Sequence, residues 1–181
     1  MADQARDRAT GPEGARDTGR GDVSSAGPSH SPASGLELRS PAFSEGASIP
    51  QRYSRQGGNE VPPLEWTRVP EGTEELALLC EDPDAPGGVF THWVVTSIPP
   101  ETARIDDALS AGAELGQNDF GELGWSGPQP PVGDGEHRYF FRLYAVDRPL
   151  GLGEGASAED VHAAVDEHIL ATDTLVGLFA R

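Results

Sequence analysis

The chain of 181 residues contains no lysine: all 13 of its basic residues are Arg, set against 30 Asp and Glu, for a net charge of −17. Without lysine the phosphate-cradling G-x-x-x-x-G-K-[ST] loop is excluded. The shortage of positive charge argues against a general nucleic-acid binder and against attraction to an anionic membrane surface, because phosphates repel an acidic protein. Cys80 is the single cysteine, which excludes an intrachain disulfide and a Cys-based metal cluster. No run approaches the roughly 18 apolar residues of a membrane span, and the N-terminus has no apolar signal core. Stable membrane insertion is therefore not expected, and the expected address is cytoplasmic. The acidic, Lys-free composition fits either a GC-rich genome or a salt-rich cytoplasm in which screening weakens self-repulsion. The excess of acid over base favours the second.

Residues 1–35 are Gly, Ser, Pro, Ala, Asp and Arg in quantity, with Met1 and Val23 the only large or branched apolar side chains. Such a segment cannot offset the entropy of ordering and reads as a disordered polar tail. A single domain is expected over 36–181. Its strand candidates are Leu76–Glu81, Thr91–Ile98 and Arg138–Asp147, rich in β-branched and aromatic residues and bounded by turn formers. Leu36–Arg39 and Pro62–Trp66 are weaker candidates. Ser157 with Asp160 suits a helix start, and Val161, Val165, Ile169, Thr172, Val176 and Phe179 recur at helical spacing. This predicts a helix running toward the C-terminus, with room for a break near Thr172–Thr174. Strands first and helix last make the fold mainly β.

Two proline-stiffened stretches carry more polar residues than a fold requires. In the first, Asp82-Pro83-Asp84-Ala85-Pro86-Gly87-Gly88 leads to Thr91-His92-Trp93. An Asx-type turn in a rigid connection accounts for it equally well. In the second, Gly127-Pro128-Gln129-Pro130-Pro131 leads to His137-Arg138-Tyr139, where His137 and Tyr139 share one strand face. Each His is isolated in its strand, which disfavours a 2-His-1-carboxylate metal site. Gly124-Trp125-Ser126-Gly127-Pro128 fails as a nucleophile elbow because Pro128 stands at the final Gly. Cys80 lies in an apolar strand as a buried structural thiol. What remains is a small polar pocket. His92, His137 and the Tyr139 hydroxyl are its donors, and Asp82 is the acceptor that favours a charged ring on His92 or His137. That chemistry suits a phosphate, carboxylate or sulfate group.

These two motifs, in this order and spacing, resemble the phosphatidylethanolamine-binding protein family. They are most similar to its bacterial and archaeal branch, the Raf-kinase-inhibitor-like proteins. Supporting segments are Val61-Pro62-Pro63-Leu64-Glu65-Trp66 and Leu175-Val176-Gly177-Leu178-Phe179. The resemblance implies an antiparallel Greek-key β-sandwich with a C-terminal helix. It also implies a non-catalytic pocket for phosphate or a phospholipid headgroup, formed by Asp82, His92, Pro130, Pro131, His137 and Tyr139, with Asp84 and Pro86 shaping it. Arg138 then faces away as an ion-pair partner. Implied partners are a kinase or protease regulated by docking and a second copy in a homodimer, with no cofactor. The alternative is a hydrolase or other enzyme acting on a small phosphorylated or ester substrate, with a pocket His as general base.

Overall fold

The computed structural model describes residues 35–181; the tail expected over 1–35 lies outside them except for Gly35. Strand β1 (Glu37–Arg39) is followed by a 3-10 turn at Gln51–Tyr53, β2 (Leu64–Thr67), β3 (Glu75–Asp82) and β4 (Phe90–Ile98). Then come β5 (Arg104–Ile105), β6 (Glu114–Leu115), β7 (Glu136–Val146), helix α1 (Ala158–Val165) and β8 (Ile169–Ala180). The strands form a small sheet in the order β1-β2-β5 and a large one in the order β6-β4-β3-β7-β8. Their pairings are antiparallel. β7 returns beside β3 rather than beside β4, a non-sequential neighbour of the Greek-key kind.

Alternation along β3 explains the layering. Leu76, Leu78 and Cys80 join Leu38, Leu64, Trp66 and Ile105 of the small sheet in one core. Ala77 and Leu79 face the other way, into a second core with Val94, Tyr144, Val146 and the helix residues Ala158, Val161 and Val165. All eight residues of β3 are buried. Burial raises the Cys80 thiol well above its ordinary pKa, and the charges of Glu81 and Asp82 add to the effect.

α1 begins as its sequence predicts. The Ser157 hydroxyl accepts from the Asp160 amide, and the Asp160 carboxylate accepts from the Ser157 amide at 2.9 Å, closing a capping box. Its length departs from the prediction. The helix stops at Val165, and after Glu167, whose φ is +66°, the chain continues as β8. The spacing of Ile169, Thr172, Val176 and Phe179 is helical, but of these only Phe179 is buried. Ala171, Leu175, Gly177 and Phe179 are the buried positions, and they fall at even spacings. Pairing with β7 runs the length of the segment, from Glu136↔Ala180 to Val146↔Ile169. That long ladder outweighs local helix preference.

Candidate functional site

The period of two carries Asp82 onto the same face as Leu76, Leu78 and Cys80, at the end of β3. In β7 it places His137 and Tyr139 in line with the core residues Phe141 and Leu143. Because β3 and β7 are hydrogen-bonded neighbours, the His137 Nδ1–H donates to Asp82 Oδ2 at 2.8 Å, with both side chains 4% exposed. The other Asp82 oxygen accepts from the Asp84 amide at 2.8 Å. One carboxylate thus closes an Asx-type turn and orients an imidazole.

His92 arrives by a different route. Cys80 pairs with Trp93 and Glu81 with Thr91, so His92 is the extra residue of a bulge between β3 and β4. Unbroken alternation from Val94, which packs under the helix, assigns His92 to that same side. The bulge re-aims it. Its ring lies edge-on to Tyr139 with centroids 5.1 Å apart and also packs against Phe90 and Phe120.

Around these groups is a cavity of about 180 Å³. Asp82, His92, Pro130, Pro131, His137 and Tyr139 all line it, as does Pro86. Asp84 does not. Its carboxylate accepts from the Arg138 amide at 3.0 Å, Nε at 2.9 Å and Nη2 at 2.8 Å. The Arg138 guanidinium holds the Asp84 carboxyl down at about 2. The two motifs are therefore clamped together behind the cavity as well as inside it.

The two imidazoles are shifted in opposite directions. Burial works against protonation of His137, but the Asp82 hydrogen bond and charge outweigh it. Asp134, 3.3 Å from Nε2, adds to them, and the pKa is raised above its ordinary value. For His92, burial dominates and the pKa is lowered. Its Nδ1–H donates to the Ser126 carbonyl at 2.6 Å. A neutral ring that donates through Nδ1 offers only a lone pair at Nε2. His92 is thus an acceptor toward the cavity, not the donor that its sequence context suggests, because Asp82 pairs with His137 instead. The Tyr139 hydroxyl is buried and makes no hydrogen bond of normal geometry, although the Asp82 carboxylate is near enough to act on it. Burial and the nearby Asp82 charge raise its pKa, so it stays protonated and able to donate.

Other contributors are not evident from the sequence. Phe90, Phe120, Ala85 and Gln129 also line the cavity. Phe120 is placed by Asn118, whose Oδ1 accepts from the amides of Phe120 and Glu122 and whose Nδ2 donates to the Gly124 carbonyl. The Asn118-Asp119 pair is the turn signal that could have found it. Arg55 lies 4.0 Å over the Phe120 ring and forks onto Glu122 at 2.8 and 2.7 Å. It also donates to Ser126 Oγ at 2.9 Å, while that hydroxyl donates to Glu122. Ser126 is fully buried and committed to this network, in keeping with the failed nucleophile elbow.

Known proteins share this geometry's sequence and fold. Residues 39–180 match the family model described as phosphatidylethanolamine-binding protein. A UPF0098 protein of Methanothermobacter thermautotrophicus is 46% identical over 81% of this chain and 99% of that protein. The crystal structure of a homologue from Chlamydia trachomatis, 38% identical, covers 82% of this chain and 99% of its own with a TM-score of 0.76. Escherichia coli YbcL, described as a member of the mammalian family, is 29% identical and covers 81% of this chain and 99% of its own, with a TM-score of 0.77. A further relative corrects the cytoplasmic expectation. The Mycobacterium tuberculosis protein named "Putative lipoprotein LppC" is 41% identical over 80% of this chain and 72% of its own. A domain shared with such a protein does not assign a cytoplasmic address. No helix among the described residues is long and apolar enough to cross a membrane. With nearly the whole described domain matched, this chain belongs to the phosphatidylethanolamine-binding protein family.

Proposed function

We propose that the cavity binds a small oxyanion, a phosphate or the phosphate of a headgroup, without chemically changing it. The observation that carries this reading is the Tyr139 hydroxyl, a buried donor in no well-formed hydrogen bond, in a cavity shared with the Asp82-paired His137. A buried unpaired hydroxyl is costly, and a bound oxygen relieves that cost. The volume, about 180 Å³, is below the roughly 300–1,000 Å³ of sites for larger organic ligands. Neutral His92 adds selectivity: its lone pair suits an oxyanion that keeps one hydroxyl, as hydrogen phosphate and a singly protonated phosphomonoester do and acetate and a phosphodiester do not. No Ser, Thr or Cys is among the lining residues, so a covalent nucleophile is not supplied and hydrolysis would need a pocket His as general base.

The test is to titrate the protein with phosphate, phosphoethanolamine and acetate while following the imidazole nitrogens by NMR. Phosphate and phosphoethanolamine are expected to shift both His92 and His137, acetate much less. His137 should titrate above the ordinary histidine range and His92 below it. Imidazole signals indifferent to all three anions would remove the proposal.

A further inference from the structure

His137 is held between two carboxylates that differ in kind. Asp82, on its Nδ1 side, is 2.8 Å away and 4% exposed; Asp134, on its Nε2 side, is 3.3 Å away and 45% exposed. Asp82 is fixed by strand pairing and by the Asp84 amide. Asp134 sits in a turn closed by its own amide on the Pro131 carbonyl at 3.2 Å. It lies between Gly133 and Gly135, with φ of +84° and +92°, and neither glycine has a neighbour within 4 Å of where a Cβ would stand. One ring nitrogen is thus committed to the core, and the other to a carboxylate on an open, glycine-hinged loop.

Resting on the anion reading above, we infer that Asp134 is a tethered competitor: its carboxylate, itself outside the cavity lining, takes the His137 Nε2 hydrogen bond that an incoming oxyanion needs, so a ligand binds by breaking that contact. A carboxylate three residues away in the same chain acts at millimolar effective concentration, so even a weak contact competes with free ligand. If the contact is made about nine-tenths of the time, the pocket is ready for a ligand about one-tenth of the time. Apparent affinity is then about tenfold below the intrinsic one. Asp134 also places negative charge beside the arriving anion, which acts in the same direction. It thereby sets the threshold concentration at which the cavity fills.

The experiment measures dissociation constants of inorganic phosphate and phosphoethanolamine by calorimetry for the unsubstituted protein, Asp134→Asn and Asp134→Gly. Both variants are expected to bind both ligands about tenfold more tightly. Equal tightening assigns the competition to the phosphate chemistry that free phosphate and a headgroup share. Tightening of phosphate alone still supports displacement and identifies the free ion as the better ligand. Phosphate affinity unchanged in both variants would overturn the inference. So would weaker phosphoethanolamine binding with phosphate unchanged, which makes Asp134 a partner for the ammonium group. Absence of binding by all three proteins would instead remove the anion reading, and this inference with it.

Discussion

Asp82→Asn is expected to lower the His137 pKa and to weaken phosphate binding by about 10- to 100-fold. The substitution preserves shape and leaves an oxygen for the Asp84 amide, but it removes the charge 2.8 Å from a buried imidazole. Burial then acts on His137 with only the exposed Asp134 to oppose it. The affinity range corresponds to losing a hydrogen bond to a charged group, about 1.5–3 kcal/mol. The sign with pH follows from the raised His137 pKa. The Asp82–His137 pair contributes stability that is fully present below the unfolded imidazole pKa, near 6.5. That contribution is lost as pH rises through the higher folded value. Phosphate binding by the unsubstituted protein should fall over the same interval, and in Asp82→Asn the fall should move to lower pH. NMR titration and calorimetry at several pH values check both. A His137 pKa that does not move in the variant would contradict the proposed role of Asp82.

A large effect on stability is expected at Gly127. A Cβ there would lie 2.0 Å from the Tyr53 carbonyl oxygen and 2.9 Å from the Arg55 amide nitrogen, both backbone atoms. The Gly127 amide donates to Asn59 Oδ1 at 2.7 Å. The preceding Ser126 carbonyl is the acceptor for His92. Gly127→Ala must push this loop off the Tyr53–Arg55 segment, at a cost of about 3 kcal/mol. That is about 6–12 °C in Tm for a chain of this size. Because the displaced carbonyl orients His92, the variant should also lose phosphate-induced shifts at that residue. Gly87 is the control, since it has no positive φ and open space on the side a methyl group would take. Gly87→Ala should melt within about 2 °C of the parent. Thermal unfolding by circular dichroism measures both.

The sequence exposes the parts of this fold that follow simple periodicity. β3, β4 and β7 announce themselves by β-branched and aromatic residues between prolines and glycines. Alternation alone puts His137 and Tyr139 on one face of β7, and the pairing of β3 with β7 adds Asp82. β8 reads as helix because Val161, Val165 and Ile169 continue a four-residue spacing across the true boundary. Only the partner strand β7 resolves whether Thr172 to Phe179 coil or extend. His92 depends on a bulge, and a one-residue register shift leaves no mark in composition. Phe120 reaches the cavity through a loop and is covered by Arg55, in a contact between residues far apart in the chain. Which histidine Asp82 charges is likewise a matter of strand adjacency: β7 flanks β3 with the ring in reach, whereas His92 is bonded to Ser126.

The central claim is that an oxyanion sits in the cup formed by Tyr139, His137 and His92. A crystal structure of the protein grown in phosphate measures this most directly. The expected result is a phosphate with one oxygen within hydrogen-bond distance of the Tyr139 hydroxyl and another at His137 Nε2, with the Asp134 carboxylate swung away. An empty cup, with Asp134 still on His137 at phosphate concentrations that saturate the calorimetric signal, would contradict it.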